Sequence, residues 1–346
     1  MKLNNNVKIV IDATSRVLYA SFYIQGLYDV FGKKNVSFSR AHFKDLKRRT
    51  DDFSFEHYFA FIIIRPEGKT KIVIDFCDPV DINENAYEWC DFYAKINFNS
   101  NETAKRFLKK IIVIPPGFGI QIWSELQTLY YSFSNLIKCK FSSIVNHKKF
   151  FKDYYLQYKR PQLSDYQNSE PSINKDPYVF MIATLWQGHE ERINHERKRF
   201  IELVKSQNCI FEGGFFAVAN HPKMDGYEDI LFNKPISGAV YIEKTKLSNF
   251  VFNTPAVHSC HGWKLAEYLA MGKAIISTPL SNELPISLTH GENIHIVNNA
   301  EELNSAIALL KNDVDYRIRL EKNANLYYEE FVKPKAVIEN LLNSIF

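Results

Sequence analysis

The sequence predicts an α/β protein built as two doubly wound domains. Three observations carry this expectation. Apolar runs at Val7–Asp12, His57–Arg65 and Lys71–Phe76 are continuous rather than alternating, the pattern of strands buried on both faces of a parallel sheet. Residues 250–278 read strand, loop, helix, glycine turn, strand, a β-α-β progression. Between these regions, residues 161–177 (PQLSDYQNSEPSINKDP) are polar, proline-flanked and aperiodic, as expected of an interdomain linker. The predicted domains are residues 1–160 and 178–330, with a terminal helix at 331–346 that returns to the first domain.

In chain order, Val7–Asp12 is a strand ending in an acid, followed by a helix from about Ala13 to Phe31 that stops at Gly32. Ligands of open α/β sheets collect at strand C-termini, which places Asp12, Thr14, Ser15, Arg16 and Tyr19 to meet a substrate. Read singly, Asp12 is more simply a helix cap and Tyr19 more simply core. Val36–Ser39 is a second strand, and the basic run Lys44, Lys47, Arg48 and Arg49 reads as a solvated face. The strand Lys71–Phe76 ends near Asp75 and Asp78, a second place for a general base or for turn-forming acids. Residues 86–97 mix helix and strand character, and Ser100–Lys110 reads as a helix. Ile111–Gly119 is a strand stopped by Pro115-Pro116-Gly117.

Gln121–Arg160 reads as helical and aromatic, with Lys140, Lys148, Lys149, Lys152, Lys159 and Arg160 against the single Asp153 in its later half. Such a stretch suits an anionic membrane surface and equally a core helix pair with a snorkelling polar face. The second domain opens with a strand at Tyr178–Leu185, a loop to Asn194, a helix at His195–Ser206 and a strand at Cys209–Phe216. Ala239–Ile242 reads as strand-like. Ile294–Val297 is the last strand, and amphipathic helices follow at 301–311 and 315–331.

The helix Trp263–Met271 is the centre of the chemistry. Lys264 falls in its first turn and Glu267 three residues on, on the same side. Unpaired N–H groups at a helix N-terminus form an anion site. A cation and a carboxylate beside such a site suit a nucleoside diphosphate: cation and N–H groups for phosphate, carboxylate for ribose hydroxyls. The run K-x-x-E-Y-L-A-M-G-K-A-I-I-S-T over Lys264–Thr278 resembles the donor-site signature of GT-B glycosyltransferases, most like family 4 (group 1), which serve bacterial surface-polysaccharide synthesis.

That resemblance implies two Rossmann-like domains facing across a cleft. A UDP- or GDP-linked sugar would bind the C-terminal domain, and a saccharide or lipid-linked saccharide acceptor the N-terminal one. It puts Glu267 on the ribose and Lys264, His261 and Gly262 beside the diphosphate. The family pattern is E-x7-E; here Ser259 stands where the first glutamate belongs. The family's basic Gly-Arg…Lys-Gly loop is absent, and Arg192, Arg197 and Lys198 are the local substitutes, among which Arg197 is assigned to the donor. Transfer is expected to be metal-independent, with no cofactor beyond the donor. If it inverts, Asp12 or Asp78 supplies the base; if it retains, as the family does, no base is required. The alternative is a catalytically inactive nucleotide- or sugar-binding protein of the same fold.

Composition is ordinary for a soluble globular protein: 46% apolar, 24% charged and a net charge of +4, too modest a balance to argue for nucleic acid. The five cysteines are scattered with no C-x-x-C pair, which fits reduced thiols and a cytoplasmic location; the basic aromatic stretch, read with the family resemblance, suggests the inner face of the cell membrane. His258, Cys260 and His261 lack zinc spacing. Dinucleotide, P-loop and nucleophile-elbow motifs are absent. No apolar run reaches the ~18 residues of a membrane span.

Overall fold

The structure, a computed structural model, describes residues 7–48, 57–139, 146–167, 177–186, 191–217, 225–232 and 235–346. Most of the expected linker (168–176), Arg49 and Lys140 lie outside the described residues. The chain is α/β and divides into two compact units. The first comprises Met1–Leu163, Asn282–Ile286 and Glu330–Phe346; the second comprises Ser164–Ser281 and Ser287–Glu329.

The first unit is built on a six-stranded sheet. Its elements are β1 (Lys8–Asp12), α1 (Val17–Phe31), β2 (Val36–Ser39), β3 (Tyr58–Arg65), β4 (Gly68–Asp75), α2 (Glu84–Trp89), β5 (Phe92–Lys95), β6 (Ile111–Val113), α3 (Glu125–Cys139) and α4 (His147–Tyr158). The short α5 (Leu163–Tyr166) follows, where the chain passes to the second unit. Strand order is β2-β1-β3-β4-β5-β6. The sheet is mixed: β1 runs parallel to β2, β4 to β5 and β5 to β6, while β3 is antiparallel to both β1 and β4. The cause is local. Only Pro66 and Glu67 separate β3 from β4, and a parallel crossover needs about a dozen residues.

Val10, Tyr58, Ala60, Ile62, Val73 and Tyr93 pack one face of the sheet against Phe43, Leu46, Ala86 and Trp89. Ile9, Ile11, Phe59, Phe61, Ile72 and Ile74, on alternate positions, are equally buried, so the continuous apolar runs do mark strands covered on both faces. Two local readings differ from expectation. Ser100–Lys110 is a turn followed by a 3-10 helix at Lys105–Lys110, because Asn99 rather than Ser100 holds the turn, its carbonyl accepting from Glu102 and Thr103. Arg48 does not lie on a solvated face but is buried.

The second unit carries β7 (Tyr178–Thr184), α6 (Glu191–Ser206), β8 (Ile210–Phe216), α7 (Gly238–Leu247), β9 (Val251–Asn253), α8 (Trp263–Ala270), β10 (Ile275–Ser277), β11 (His295–Ile296), α9 (Ala300–Asn312) and α10 (Val314–Tyr327). All pairs between these strands are parallel: β7 with β8, and β9 and β11 on either side of β10. The Asn249 N–H donates to the Tyr178 carbonyl at 2.8 Å, so the start of β7 lies beside the chain leading into β9. The core joins Val179, Met181, Phe200, Ile201, Val204, Phe215, Phe252, Ile276, Ile307 and Leu320. Residues 239–242 are helical, not strand-like. Ser237 Oγ accepts from the Val240 N–H at 3.3 Å and caps α7, which overrides the β preference of Val240, Tyr241 and Ile242.

A last helix, α11 (Pro334–Ile345), belongs to the first unit and packs on α1. Gly26 makes the close approach: a Cβ there would lie 2.2 Å from the Pro334 carbonyl oxygen. With its all-parallel pairing, the second unit is the closer of the two to a doubly wound domain.

Candidate functional site

The strongest cluster of chemistry lies in the second unit, at the C-terminal end of β9 and the first turns of α8. Asn253 ends β9, and its side chain donates to Ser277 Oγ at 3.0 Å, tying the ends of β9 and β10. The chain then crosses Thr254–Gly262. His258 and Ser259 both take left-handed backbone (φ 55° and 58°), which non-glycine residues adopt at a cost of ~1–2 kcal/mol each. Both side chains are exposed. Cys260 and His261 turn inward and are buried. Gly262 is the N-cap residue of α8 and supplies no side-chain cap, so the first-turn N–H groups receive no side-chain acceptor from it.

α8 is buried almost all round, through Leu265, Ala266, Glu267, Tyr268, Leu269 and Ala270. A carboxylate in such a helix needs partners. Glu267 Oε2 accepts from the Tyr241 hydroxyl of α7 at 2.8 Å. Burial and the Glu267 charge together push the Tyr241 and Tyr268 phenols far above their usual range, so both remain donors. Lys264 reaches from α8 to the Ile182 carbonyl of β7. Burial, with the Arg197 guanidinium adding to it, pulls its ammonium down to about 7, and Glu267 opposes the shift. Arg197, from α6, donates through Nε to Thr254 Oγ1 at 3.1 Å.

The expected donor residues Glu267, Lys264 and Arg197 are therefore brought together around the α8 N-terminus, while Gly262 and His261 sit at its mouth. Ser259 is on the exposed left-handed loop. Tyr241 escapes sequence reasoning, since it lies 26 residues upstream in a segment with strand-like character and no local signal pairs it with Glu267. Arg192 points elsewhere, bonding Glu196 on the exposed face of α6 at 3.1 Å.

The acids expected to serve as bases lie in the first unit. Asp12 is completely buried at the end of β1. Its Oδ1 accepts from the Thr14 N–H at 3.1 Å and its Oδ2 from the Thr14 hydroxyl at 2.8 Å. Arg48 adds Nε at 2.9 Å and Nη2 at 2.8 Å, and Arg40 stands at 3.9 Å. The Arg48 guanidinium also lies 4.3 Å from the Tyr58 ring centre. Asp12 is the hub of a buried ion cluster, with both oxygens already accepting. Asp78 is exposed. The buried acid of that strand end is Asp75, which accepts from the Cys77 N–H at 2.7 Å, from Lys95 at 3.1 Å and from Tyr93.

Arg16 faces the Tyr19 ring at 4.4 Å and pairs with Asp153 of α4 at 3.8 Å. Asp153 also accepts from the Leu18 N–H at 3.1 Å. Burial pushes its carboxyl up to about 6, against the lowering effect of that N–H and of Arg16. No cluster of histidine, cysteine and acids able to hold a metal ion occurs among the described residues.

No protein-family profile matches the sequence, and no curated protein matches it. Solved structures do resemble the fold. HepE from Anabaena, in complex with UDP-glucose, aligns at 14% identity over 75% of this chain and 66% of that one, with a TM-score of 0.39. TarM from S. aureus, in a complex containing UDP, aligns at 13% identity over 75% of this chain and 52% of that one, with a TM-score of 0.40. Sucrose-phosphate synthase from Thermosynechococcus elongatus aligns at 16% identity over 75% of this chain and 60% of that one, with a TM-score of 0.39. The chain spans about half the length of TarM. At this identity and TM-score the likeness carries no argument about function, and the functional reading rests on the side chains just described.

Proposed function

We propose that this protein is a glycosyltransferase that draws its sugar from a nucleoside-diphosphate sugar held by the second unit. The observation that carries the reading is the arrangement at α8. A carboxylate fixed by a tyrosine hydroxyl stands one turn from a lysine and near an arginine, at a helix N-terminus that follows a parallel strand. Glycosyl transfer needs the departing diphosphate neutralised. Lys264, Arg197 and the α8 N–H groups do this electrostatically. The two negative charges of the bound diphosphate would raise the Lys264 ammonium again, so the group carries more charge with the donor present than without it. Glu267, held in one orientation by Tyr241, accepts from the ribose hydroxyls.

The acceptor in this reading is a saccharide or lipid-linked saccharide of a bacterial surface polysaccharide, and the transferred group a hexosyl or deoxyhexosyl unit. Asp12, enclosed by Thr14 and two arginines, organises the end of β1 rather than abstracting a proton. That arrangement favours the retaining course, which needs no such base, and leaves exposed Asp78 as the base for an inverting one.

The test is thermal stabilisation by UDP, GDP, CMP and dTDP, for wild type and Glu267→Gln, which keeps an acceptor for Tyr241. A ligand at a hundred times its Kd stabilises by ~2.7 kcal/mol. One nucleotide should stabilise wild type and lose most of that effect in the variant. Nucleotide binding without turnover of any sugar donor would select the inactive binding protein instead, and no stabilisation by any of them would remove the transferase reading and leave a sugar-binding protein as the alternative.

A further inference from the structure

Helix α3 is turned inside out. Its buried residues are Thr128, Ser132, Asn135 and Cys139, small and mostly polar, and Asn135 Nδ2 donates to the Tyr154 hydroxyl of α4 at 2.9 Å. Its large apolar residues face the other way. Leu126 is 80% exposed, Leu129 50%, Tyr130 66%, Phe133 57% and Ile137 65%. Their spacing of three, four, seven and eleven residues from Leu126 puts all five on one stripe of the helix. Single exposed apolar residues are ordinary, but a contiguous stripe marks a surface with a partner.

The neighbouring helix shows which partner. On α4, Lys148, Lys152 and Tyr155 lie on one exposed face, with Lys159 just beyond its end. Phe133 of α3 meets Phe151 of α4 at 5.2 Å between ring centres, so the apolar stripe and the lysine face adjoin. Lys138 and Lys149 are exposed as well. Within α3 and α4 the acids are Glu125 and Asp153, and Asp153 is buried against Arg16. Bulky aliphatics and tyrosines flanked by lysines, with almost no exposed acid, match the acyl–headgroup boundary of an anionic bilayer. A second copy of the chain would bring the same lysines against each other.

We propose that α3 and α4 form a membrane-docking face: the α3 stripe enters the outer part of an anionic lipid leaflet while the α4 lysines hold its headgroups. This surface is independent of the transferase reading, since it shares no residue with the α8 site.

The experiment is flotation of the full chain with phosphatidylcholine vesicles, with or without a quarter phosphatidylglycerol, at low and high salt. Two double variants accompany wild type, Leu129→Gln with Phe133→Gln and Lys148→Gln with Lys152→Gln. All four positions are exposed, so circular dichroism should be unchanged and melting should fall at most slightly, from the lost Phe133–Phe151 contact. Wild type should float with the anionic vesicles, strongly at low salt and more weakly at high salt, and no better with the neutral ones than it does with the anionic ones at high salt. Losing two lysines should weaken partitioning about thirtyfold, from the worth of a juxtamembrane lysine. The glutamine pair in α3 should abolish the binding that survives high salt. The proposal is overturned if wild type fails to float, or if either double variant floats like wild type. It is equally overturned if wild type is a dimer in sedimentation that the α3 variant dissociates without vesicle binding being affected.

Discussion

Replacing Asp12 with asparagine separates a structural ion hub from a catalytic base. Arg48 lies 2.8 Å from Asp12 Oδ2, and the two side chains are 1% and 0% exposed. At that separation and an effective dielectric constant of about 20, the gross attraction is about 6 kcal/mol. Most of it offsets desolvation of the two charges, but removing one partner strands the other, and such breaks cost about 3–5 kcal/mol. The substituted amide would keep an acceptor for the Thr14 N–H, so the lower end, about 3 kcal/mol, is expected.

The assay is urea unfolding followed by tryptophan fluorescence. Trp89 and Trp123 are buried and both belong to the first unit, whereas Trp186 and Trp263 belong to the second, the former 37% exposed and the latter half-buried; Trp263→Phe in every variant keeps the buried signal to the first unit. With a slope of about 2 kcal/mol per molar, the first-unit midpoint should fall by about 1.5 M. Arg48→Met, whose stem still covers the Tyr58 ring, should fall similarly. The double variant should recover about 2 kcal/mol relative to the sum, because neither charge is left alone. An unchanged midpoint for Asp12→Asn, or singles that simply add, would refute the hub.

Other outcomes follow from the same geometry. Lys264 is held at about 7 against about 10.4 in an unfolded chain. Between those values the unfolded chain binds the additional proton, so this group makes stability rise with pH. The unfolding free energy of wild type minus that of Lys264→Met should therefore climb across that window and be flat below it; a flat or falling difference would show the ammonium is not buried. Nucleoside diphosphate binding should take up a proton near pH 8, seen as a calorimetric heat that varies with the buffer's ionisation enthalpy, and Lys264→Met should remove that dependence. Gly26→Ala should lower the melting temperature even though alanine favours helix by ~1 kcal/mol. Its Cβ meets the Pro334 carbonyl at 2.2 Å and Ile338 at 2.7 Å, and relieving overlap with a backbone carbonyl costs about 1–3 kcal/mol.

Much of this architecture is legible in the sequence because it is written locally. β1, β2, β7 and β8 appear as apolar runs bounded by polar or glycine residues. α8 appears as strong helix formers stopped by Gly272, which takes φ 58°. Glu267 and Lys264 could be placed together because helical spacing alone does so. What the sequence conceals is tertiary. Nothing near Tyr241 says that its hydroxyl meets Glu267, and nothing in the basic run around Arg48 signals that this side chain is drawn into the interior by Asp12. The β-prone residues of α7 yield to a serine cap and to packing. The inverted α3 is the clearest case: periodicity tells which residues share a face, but not which face is turned inward.

The return of α11 to the first unit has a consequence for how the protein is made. The second unit is an insertion in the first: residues 164–281 and most of those up to 329 are synthesised between α4 and α11. The groove on α1 that Pro334 and Ile338 fill therefore stays open while the whole second unit emerges. Domains generally fold as they leave the ribosome, first units first, but here the first begun is the last completed. Its sheet can assemble early around the β3–β4 hairpin, the most local pairing among the described strands. Its final side must wait for residues some 300 positions downstream of α1. During that interval Leu27, Tyr23 and the rest of the α1 helix depend on neighbours already made.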